Sequence, residues 1–410
     1  MMTSGQAVVG LDVGTTKVLV LIGEVTDPHR VEVVGVGLSQ SRGIKKGLVV
    51  DMDEAEAAIS TALRKAEAFS GYRIIGAYVS VSGGHLASEG SRGAISLPDD
   101  HTITRQDLAD VLKAAKVDEL PDGREVLHLL PQGYSVDGED GIRNPVGMRA
   151  SRLEVESLVV SAASGPLHNL AMCVERAGIK VDGFVAGGLA AAHGVLNETE
   201  KQLGVLLIDI GGGTTDLTWY QEGQVRFVGA LPVGGNHLTN DLSVGLGVPF
   251  SAAEEIKVRF TSAIPAAIEE DEVIDAGSFA DGGMKKVSKR FAAEIVEARL
   301  VEIFELAREE LDRGGFDGVL PAGVVLAGGT AQLRGIRDLA MQAFDAPVRV
   351  ALPDGLMGAT DSIQTPAHGV GAGLLRWATA QPDDLHGATS LHRKSSWVSR
   401  AKGLVKVFLP

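Results

Sequence analysis

Two apolar stretches rich in Val and Leu, residues 7–12 and 17–25, are separated only by the turn Val13-Gly14-Thr15-Thr16. Short β-branched runs around a glycine turn predict a strand hairpin. The pattern returns near mid-chain. Residues 204–210 form an apolar run carrying Asp209, followed by Gly211-Gly212-Gly213-Thr214-Thr215-Asp216 and strands predicted over 217–220 and 224–231. Leu11-Asp12-Val13-Gly14-Thr15-Thr16 aligns with Ile208-Asp209-Ile210-Gly211 and the threonines after it, so the chain reads as internally duplicated. Helical periodicity follows each hairpin, over residues 53–69 in the first half and over 251–260 and 289–311 in the second. Ser251 and Glu254 have the spacing of a capping box at a helix start just after Pro249.

Between the repeats, residues 84–162 carry their own turn signals and a helix predicted over 104–116, which marks an inserted subdomain. Residues 381–392 are polar and without period, as expected of a linker.

Composition narrows the class. The 410 residues are 45% hydrophobic and 22% charged, enough for two or more compact domains. Aromatics make up 4% and Gly numbers 52, so the core must be Val, Leu, Ile and Ala with many tight turns, as in an α/β protein. A net charge of -15 opposes nonspecific nucleic-acid binding, so no nucleic-acid partner is expected. Cys173 is the one cysteine, which rules out an intrachain disulfide or cysteine metal cluster and fits a reducing cytosol. No basic-then-apolar leader and no run of about 20 apolar residues is visible, so neither secretion nor a membrane span is expected.

The glycine turns carry the candidate chemistry. A phosphate chain is held best by inward-pointing backbone N–H groups in turns that no side chain blocks. Gly14, Gly211, Gly212 and Gly213 supply such turns. Thr15, Thr16, Thr214 and Thr215 add hydroxyls, and Lys17 is placed to neutralise phosphate charge. Asp12 and Asp209 are candidate carboxylates for Mg²⁺. One such turn is an ordinary hairpin; two at related positions can clamp a phosphate tail from both sides. A third apolar strand, residues 323–327, ends in Gly328-Gly329-Thr330, where backbone can approach a nucleoside closely. Glu254 and Lys257 share a helical face and are candidates for the ribose and base edge; the plain alternative is an exposed ion pair. The expected ligand is ATP with Mg²⁺.

Residues 393–410 have a different character. At 100° per residue, Trp397, Ala401, Leu404 and Phe408 fall on one line with Val398, Val405 and Leu409 beside them, while Arg400, Lys402 and Lys406 lie towards the other side. Arg393 and Lys394 precede them, and no acidic residue occurs from Leu391 to Pro410. That profile predicts an amphipathic helix lying in the interface of an anionic membrane. A helix docked on the protein's own core would show the same apolar stripe.

The order of two Asp-x-Gly-Thr type hairpins and a Gly-Gly-Thr strand end resembles the actin, sugar kinase and heat-shock chaperone ATPase fold. Within it the sequence is similar to the bacterial cell-division family FtsA over nearly the whole chain. The stretches carrying this are Ser41-Arg42-Gly43-Ile44-Lys45-Lys46-Gly47, Val81-Ser82-Gly83-Gly84-His85 and His128-Leu129-Leu130-Pro131-Gln132-Gly133-Tyr134-Ser135-Val136-Asp137. Gly141-Ile142-Arg143-Asn144-Pro145-Val146-Gly147-Met148, Arg152-Leu153-Glu154-Val155 and Gln364-Thr365-Pro366-Ala367-His368-Gly369-Val370-Gly371 extend it.

The resemblance implies an α/β, actin-like ATPase fold of two duplicated ribonuclease-H-like halves. The first half would be residues 1–83 and 163–200, the insertion 84–162, and the second half 201–380 with a helical subdomain at about 235–320. It further implies filament formation with copies of itself and a C-terminal membrane-targeting helix at the cytoplasmic face of the division site. A surface for the C-terminal peptide of the tubulin-like FtsZ is also implied, for which Lys285, Lys286, Lys289, Arg290 and Arg299 are candidates. Other division proteins could bind the insertion. ATP turnover is expected to be slow or negligible, since no group that orients the attacking water stands out. A pilus-assembly protein of the same fold, or a kinase or chaperone, is the alternative; the basic tail argues against these.

Overall fold

The computed structural model describes residues 6–27, 30–115, 120–275, 286–316 and 318–380, and the backbone of 406–407. In the first half, β1 (Gln6–Val13), β2 (Lys17–Asp27) and β3 (Arg30–Gln40) make an antiparallel meander. A small hairpin, β4 (Ile44–Lys45) and β5 (Leu48–Val49), leads into α1 (Met52–Ser70). The Asp51 carboxylate accepts the N–H groups of Asp53 and Glu54 at the start of α1, and Gly71, left-handed at φ 76°, ends it. The next strand, β6 (Gly76–Val81), is parallel to β1 and buried at every residue, as a strand covered on both faces must be.

The inserted subdomain follows: β7 (Leu86–Thr102), α2 (Arg105–Ala114), β8 (Arg124–Val136), β9 (Glu139–Ile142) and β10 (Arg149–Ala163). Its antiparallel sheet buries Leu129, Tyr134, Leu153 and Val155 against Leu108 and Leu112 of α2, a core separate from the two larger ones. Thr104 and Asp107 cap α2 reciprocally, at the helix start expected there. The chain then returns through α3 (Ser164–Arg176), β11 (Lys180–Ala186), α4 (Gly187–Val195) and α5 (Glu198–Leu203).

The second half repeats the plan. β12 (Val205–Ile210), β13 (Thr215–Gln221) and β14 (Gln224–Leu231) form the meander, followed by α6 (Gly235–Leu246) and α7 (Phe250–Phe260). Then come the short pair β15 (Val273–Asp275) and β16 (Lys286–Ser288), α8 (Lys289–Arg313), β17 (Val324–Ala327), α9 (Ile336–Phe344) and β18 (Val348–Val350). Strand order is β3-β2-β1-β6-β11 in one sheet and β14-β13-β12-β17-β18 in the other, so the duplication read from the turns extends to whole sheets.

Two expectations are corrected. The S-x-x-E pair does not cap α7: Pro249 precedes the helix, no side chain caps it, and Ser251 and Glu254 lie inside. The Glu254 carboxylate is instead taken by Lys257 and Thr239. The second half also ends before residue 380. β19 (Leu356–Gly358) pairs with β3, and α10 (Gly369–Ala380) packs against β1, β2 and α4 of the first half. The helices approach closely enough that a methyl on Gly373 would fall 1.6 Å from the Ala190 carbonyl oxygen. The small residues of α10 carry no sequence signal of this choice; only the packing reveals which half they serve.

Candidate functional site

The two glycine turns are built alike. The Gly14 N–H donates to Lys17 O at 3.0 Å, and the Gly211 N–H donates to Thr214 O at 2.9 Å. They face each other in contact: a Cβ on Gly212 would lie 2.0 Å from Thr16 Oγ1, and one on Gly213 would lie 2.5 Å from Thr15 Oγ1. Behind them the Gly235 and Asn236 N–H groups, at the start of α6, donate to Gly211 and Gly212 carbonyls at 2.9 and 2.7 Å. Thr330 Oγ1, beyond β17, donates to Gly211 O at 3.2 Å. Three separate segments thus meet around a cleft of about 330 Å³ between the halves.

Asp12, Gly14, Thr15, Thr16, Lys17, Asp209, Gly211, Gly212, Thr214, Glu254, Lys257, Gly328, Gly329 and Thr330, all anticipated from the sequence, line this cleft. Gly213 sits at the junction of the two turns. Thr215 is a correction: its side chain is fully buried and its hydroxyl donates to Val233 O at 2.9 Å, because alternation along β13 turns it to the opposite face.

Three carboxylates converge on the cleft. Asp12 Oδ1 accepts from Ser80 Oγ at 2.8 Å and Oδ2 pairs with Lys17 Nζ at 3.3 Å. Asp209 is buried, and burial with the charge of Asp12 pushes its pKa up to about 7 against the opposing pull of Lys17. Asp216, cross-strand from Asp209, is also held well above the ordinary carboxylate range, by burial first and then by Asp209, and one of its oxygens has no protein partner. Carboxylates buried together are costly to ionise, yet among the described residues no group of three or more acidic, His or Cys side chains is spaced to hold a metal ion by itself. Asp216, Ser80 and Ser82 escaped the sequence reading, since a single polar residue within a strand or just past its end gives no periodic signal. The register Asp209↔Asp216 across the hairpin was the available clue.

Glu254 and Lys257 do not form an exposed pair. Lys257 is buried, and its ammonium donates to Glu254 at 2.7 Å, Thr239 Oγ1 at 2.8 Å and Gly235 O at 3.1 Å, tying α7 to α6 at the cleft wall. Burial lowers its pKa while Glu254 supports the charge. Lys257→Met removes the donor from these buried acceptors and should cost about 1–3 kcal/mol of stability. Urea unfolding would measure it, and an unchanged midpoint would contradict the assignment.

The proposed partner residues are partly engaged within the subdomain. Lys289 pairs with Glu272, Arg290 with Glu270, and Arg299 with Asp241 and Glu302. Lys286 is exposed on β16, and Lys285 lies outside the described residues. Trp397, Val398, Arg400, Ala401, Lys402, Leu404, Val405 and Phe408 also lie outside them. Where a helix was expected, the backbone of Lys406–Val407 forms a two-residue strand, β20, parallel to β8. The exposed hydrogen-bonding edge of β8 offers an extended segment partners that a helix could not use. Among the described residues no helix is long and apolar enough to cross a membrane.

Duplicated sheets, a cleft closed by paired glycine turns and an inserted antiparallel subdomain define a protein of the actin-like ATPase fold. A solved type IV pilus biogenesis complex, PilM-PilN, matches 92% of this chain and 99% of its own with TM-score 0.64 at 14% identity. MreB5 of Spiroplasma citri, solved with ADP, matches 90% and 94% with TM-score 0.52 at 15% identity. These establish the fold. The family model for cell division protein FtsA matches residues 206–373, and that for the SHS2 domain inserted in FtsA matches residues 83–161. The cell division protein FtsA of Pseudomonas aeruginosa is 40% identical over 93% of this chain and 91% of its own. The chain belongs to the FtsA family of actin-like cell-division proteins, and the pilus, kinase and chaperone alternatives fall away.

Proposed function

We propose that this cell-division protein binds Mg²⁺-ATP in the cleft and assembles into filaments. Residues 393–410 would hold it peripherally on the cytoplasmic membrane at the division site, where it anchors FtsZ. The observation that carries the reading is the interlocked pair of glycine turns with Asp12, Asp209 and Asp216 behind them. A phosphate tail there would meet backbone N–H groups from both halves, so its binding fixes their relative position. The MreB5 structure with ADP, on the same fold, supports this use of the cleft.

Asp12 and Asp209 would hold the cation, directly or through its waters, with Asp216 behind them. Bound Mg²⁺ would neutralise phosphate and carboxylate charge and stabilise the ionised form of Asp209. Gly329 and Thr330 would pack on the nucleoside beside Glu254 and Lys257. The nucleotide would act as a switch with slow or negligible turnover; rapid sustained hydrolysis by the purified protein would contradict this. FtsZ's C-terminal peptide would bind the α6–α8 subdomain, where Lys286, Lys289 and Arg290 supply basic side chains, and the inserted subdomain remains available for other division partners.

The tail supplies the membrane claim. Its apolar line of Trp397, Leu404 and Phe408 with a basic flank suits an anionic bilayer. Flotation with phosphatidylglycerol-containing vesicles should recover the full chain and leave a chain ending at residue 392 behind. Equal flotation of the two would remove the tethering claim. Raised salt should weaken binding, since part of the attraction is ionic.

A further inference from the structure

A second cavity, about 660 Å³ and larger than the nucleotide cleft, lies where the inserted subdomain meets the two halves. Sites for small organic molecules span roughly 300–1,000 Å³ and are mostly apolar with a few polar groups. Leu130 and Pro131 of β8, Leu189 of α4 and Val225 of β14 supply the apolar walls. Among the polar groups, Tyr134 is 3% exposed and its hydroxyl has no protein partner. Burial raises its pKa, so it stays a hydroxyl with a proton to donate. The side-chain oxygen of Gln224, also on the wall, is buried and unpartnered too. Buried polar atoms are nearly always paired, and two orphans on one cavity wall point to a missing ligand.

The charge on the cavity walls decides which ligand. Arg143, Lys201 and Arg376 line it against one carboxylate, Glu198, in a protein whose net charge is -15. The Lys201 side chain is 7% exposed, whereas the Glu198 side chain that pairs with it at 2.8 Å is 83% exposed, so solvent screens that partner. Burial lowers the pKa of His193 on the same wall, and Lys201 and then Arg376 lower it further, which shows their positive potential acting together there. Tyr134, Arg143 and Gln224 also border a smaller cavity of about 310 Å³, so these three stand at one end of the larger one. Asp140, Glu154, Glu156 and Glu222 line the smaller cavity and repel an anion from it.

We propose that the larger cavity binds a small organic anion with an apolar body, of the class of acyl or aryl carboxylates. The hydrocarbon packs on Leu130, Pro131, Leu189 and Val225, and the carboxylate accepts from the Tyr134 hydroxyl beside the Arg143 guanidinium. A ligand so placed touches the insertion through β8, the first half through α4 and the second through β14, and holds the three together. The site is separate from the nucleotide cleft and does not rest on the reading of that cleft.

The test titrates dansylated undecanoate, a carboxylate whose fluorescence rises in an apolar site, into the full chain, with dodecanoate and dodecanol as competitors. Wild type should bind it saturably, and dodecanoate should displace it at least about tenfold better than dodecanol, because only the carboxylate meets Tyr134 and Arg143. Tyr134→Phe and Arg143→Gln should each weaken binding about tenfold, the loss expected for one hydrogen bond to a charged group. Tyr134→Phe deletes only a hydroxyl without a protein partner, so it should unfold at the same urea concentration as wild type. Gly133→Trp should abolish binding, since Gly133 lines the cavity and has open space where a Cβ would stand. An apolar probe can also settle on the stripe of residues 397–408 or in the nucleotide cleft, neither of which contains the three substituted positions. Equal affinity of wild type and all three variants, or no saturable binding, would therefore overturn the site. Equal displacement by dodecanol and dodecanoate would overturn the anion.

Discussion

Asp209→Asn should make the nucleotide-free protein more stable at pH 8 and at the same time weaken its metal-dependent ATP binding roughly 10–100-fold. The two effects have one cause. With its folded pKa raised from 3.8 to about 7, Asp209 holds a proton in the folded protein that the unfolded chain has already released. Between about pH 4 and 7 the folded state therefore binds more protons, and stability falls as pH rises. Each tenfold difference in proton affinity is worth about 1.4 kcal/mol, so the penalty at pH 8 without metal is on the order of 2–4 kcal/mol. The amide carries no charge and escapes it. Thermal unfolding without metal should give the variant the higher midpoint at pH 8, and the gap should narrow as pH is lowered towards 4. With Mg²⁺-ATP the order should reverse, because the wild-type carboxylate then has its counter-charge. A variant that is no more stable at pH 8, and binds Mg²⁺-ATP as tightly as wild type in titration calorimetry, would show that Asp209 is neither strained nor a cation ligand.

The turns were legible because each residue type in them has one physical use. Gly leaves the backbone bare, Thr adds a hydroxyl, and Asp at a strand end can reach a cation. Their repetition carried the duplication, and the sheets follow it strand for strand. Helix limits came out within a few residues where caps are local, as at Thr104 for α2 and Ser288 for α8. The capping box at Ser251 misled because Glu254 is taken by Lys257, one turn along the same helix, and by Thr239 of α6, and local spacing cannot report what lies across a helix pair. Thr215 misled by parity: one step along β13 moves a side chain from the cleft to the core. Asp216 was missed for the complementary reason, since its role depends on the strand opposite. The return of α10 to the first half had no sequence signal at all, because its apolar and glycine positions fit either sheet.

Two adjacent glycines at the end of β17 separate folding from binding, and Gly328→Ala and Gly329→Ala should behave oppositely. Gly328 has φ 86°, and a Cβ there would lie 2.4 Å from both Asp209 Oδ1 and the Ile210 carbonyl oxygen. The backbone of β12 cannot yield without breaking its pairing with β17, so the alanine adds a left-handed conformation to a steric clash. Gly328→Ala should lose about 2–4 kcal/mol of stability and bind ATP poorly as a consequence. Gly329 is different: a Cβ there would meet only Ala367, at 3.9 Å, so the fold has room for it. Gly329→Ala should unfold within about 0.5 kcal/mol of wild type. Its methyl nevertheless projects into the nucleotide cleft, where the proposed nucleoside position brings the ligand onto the backbone. ATP affinity should drop about tenfold, as expected of a misplaced carbon in a close contact. Urea unfolding and titration calorimetry on the two variants give the four values needed. A Gly329→Ala protein with normal stability and normal affinity would place the nucleoside elsewhere in the cleft, and a stable Gly328→Ala protein would mean that β12 and β17 can part at this point without loss.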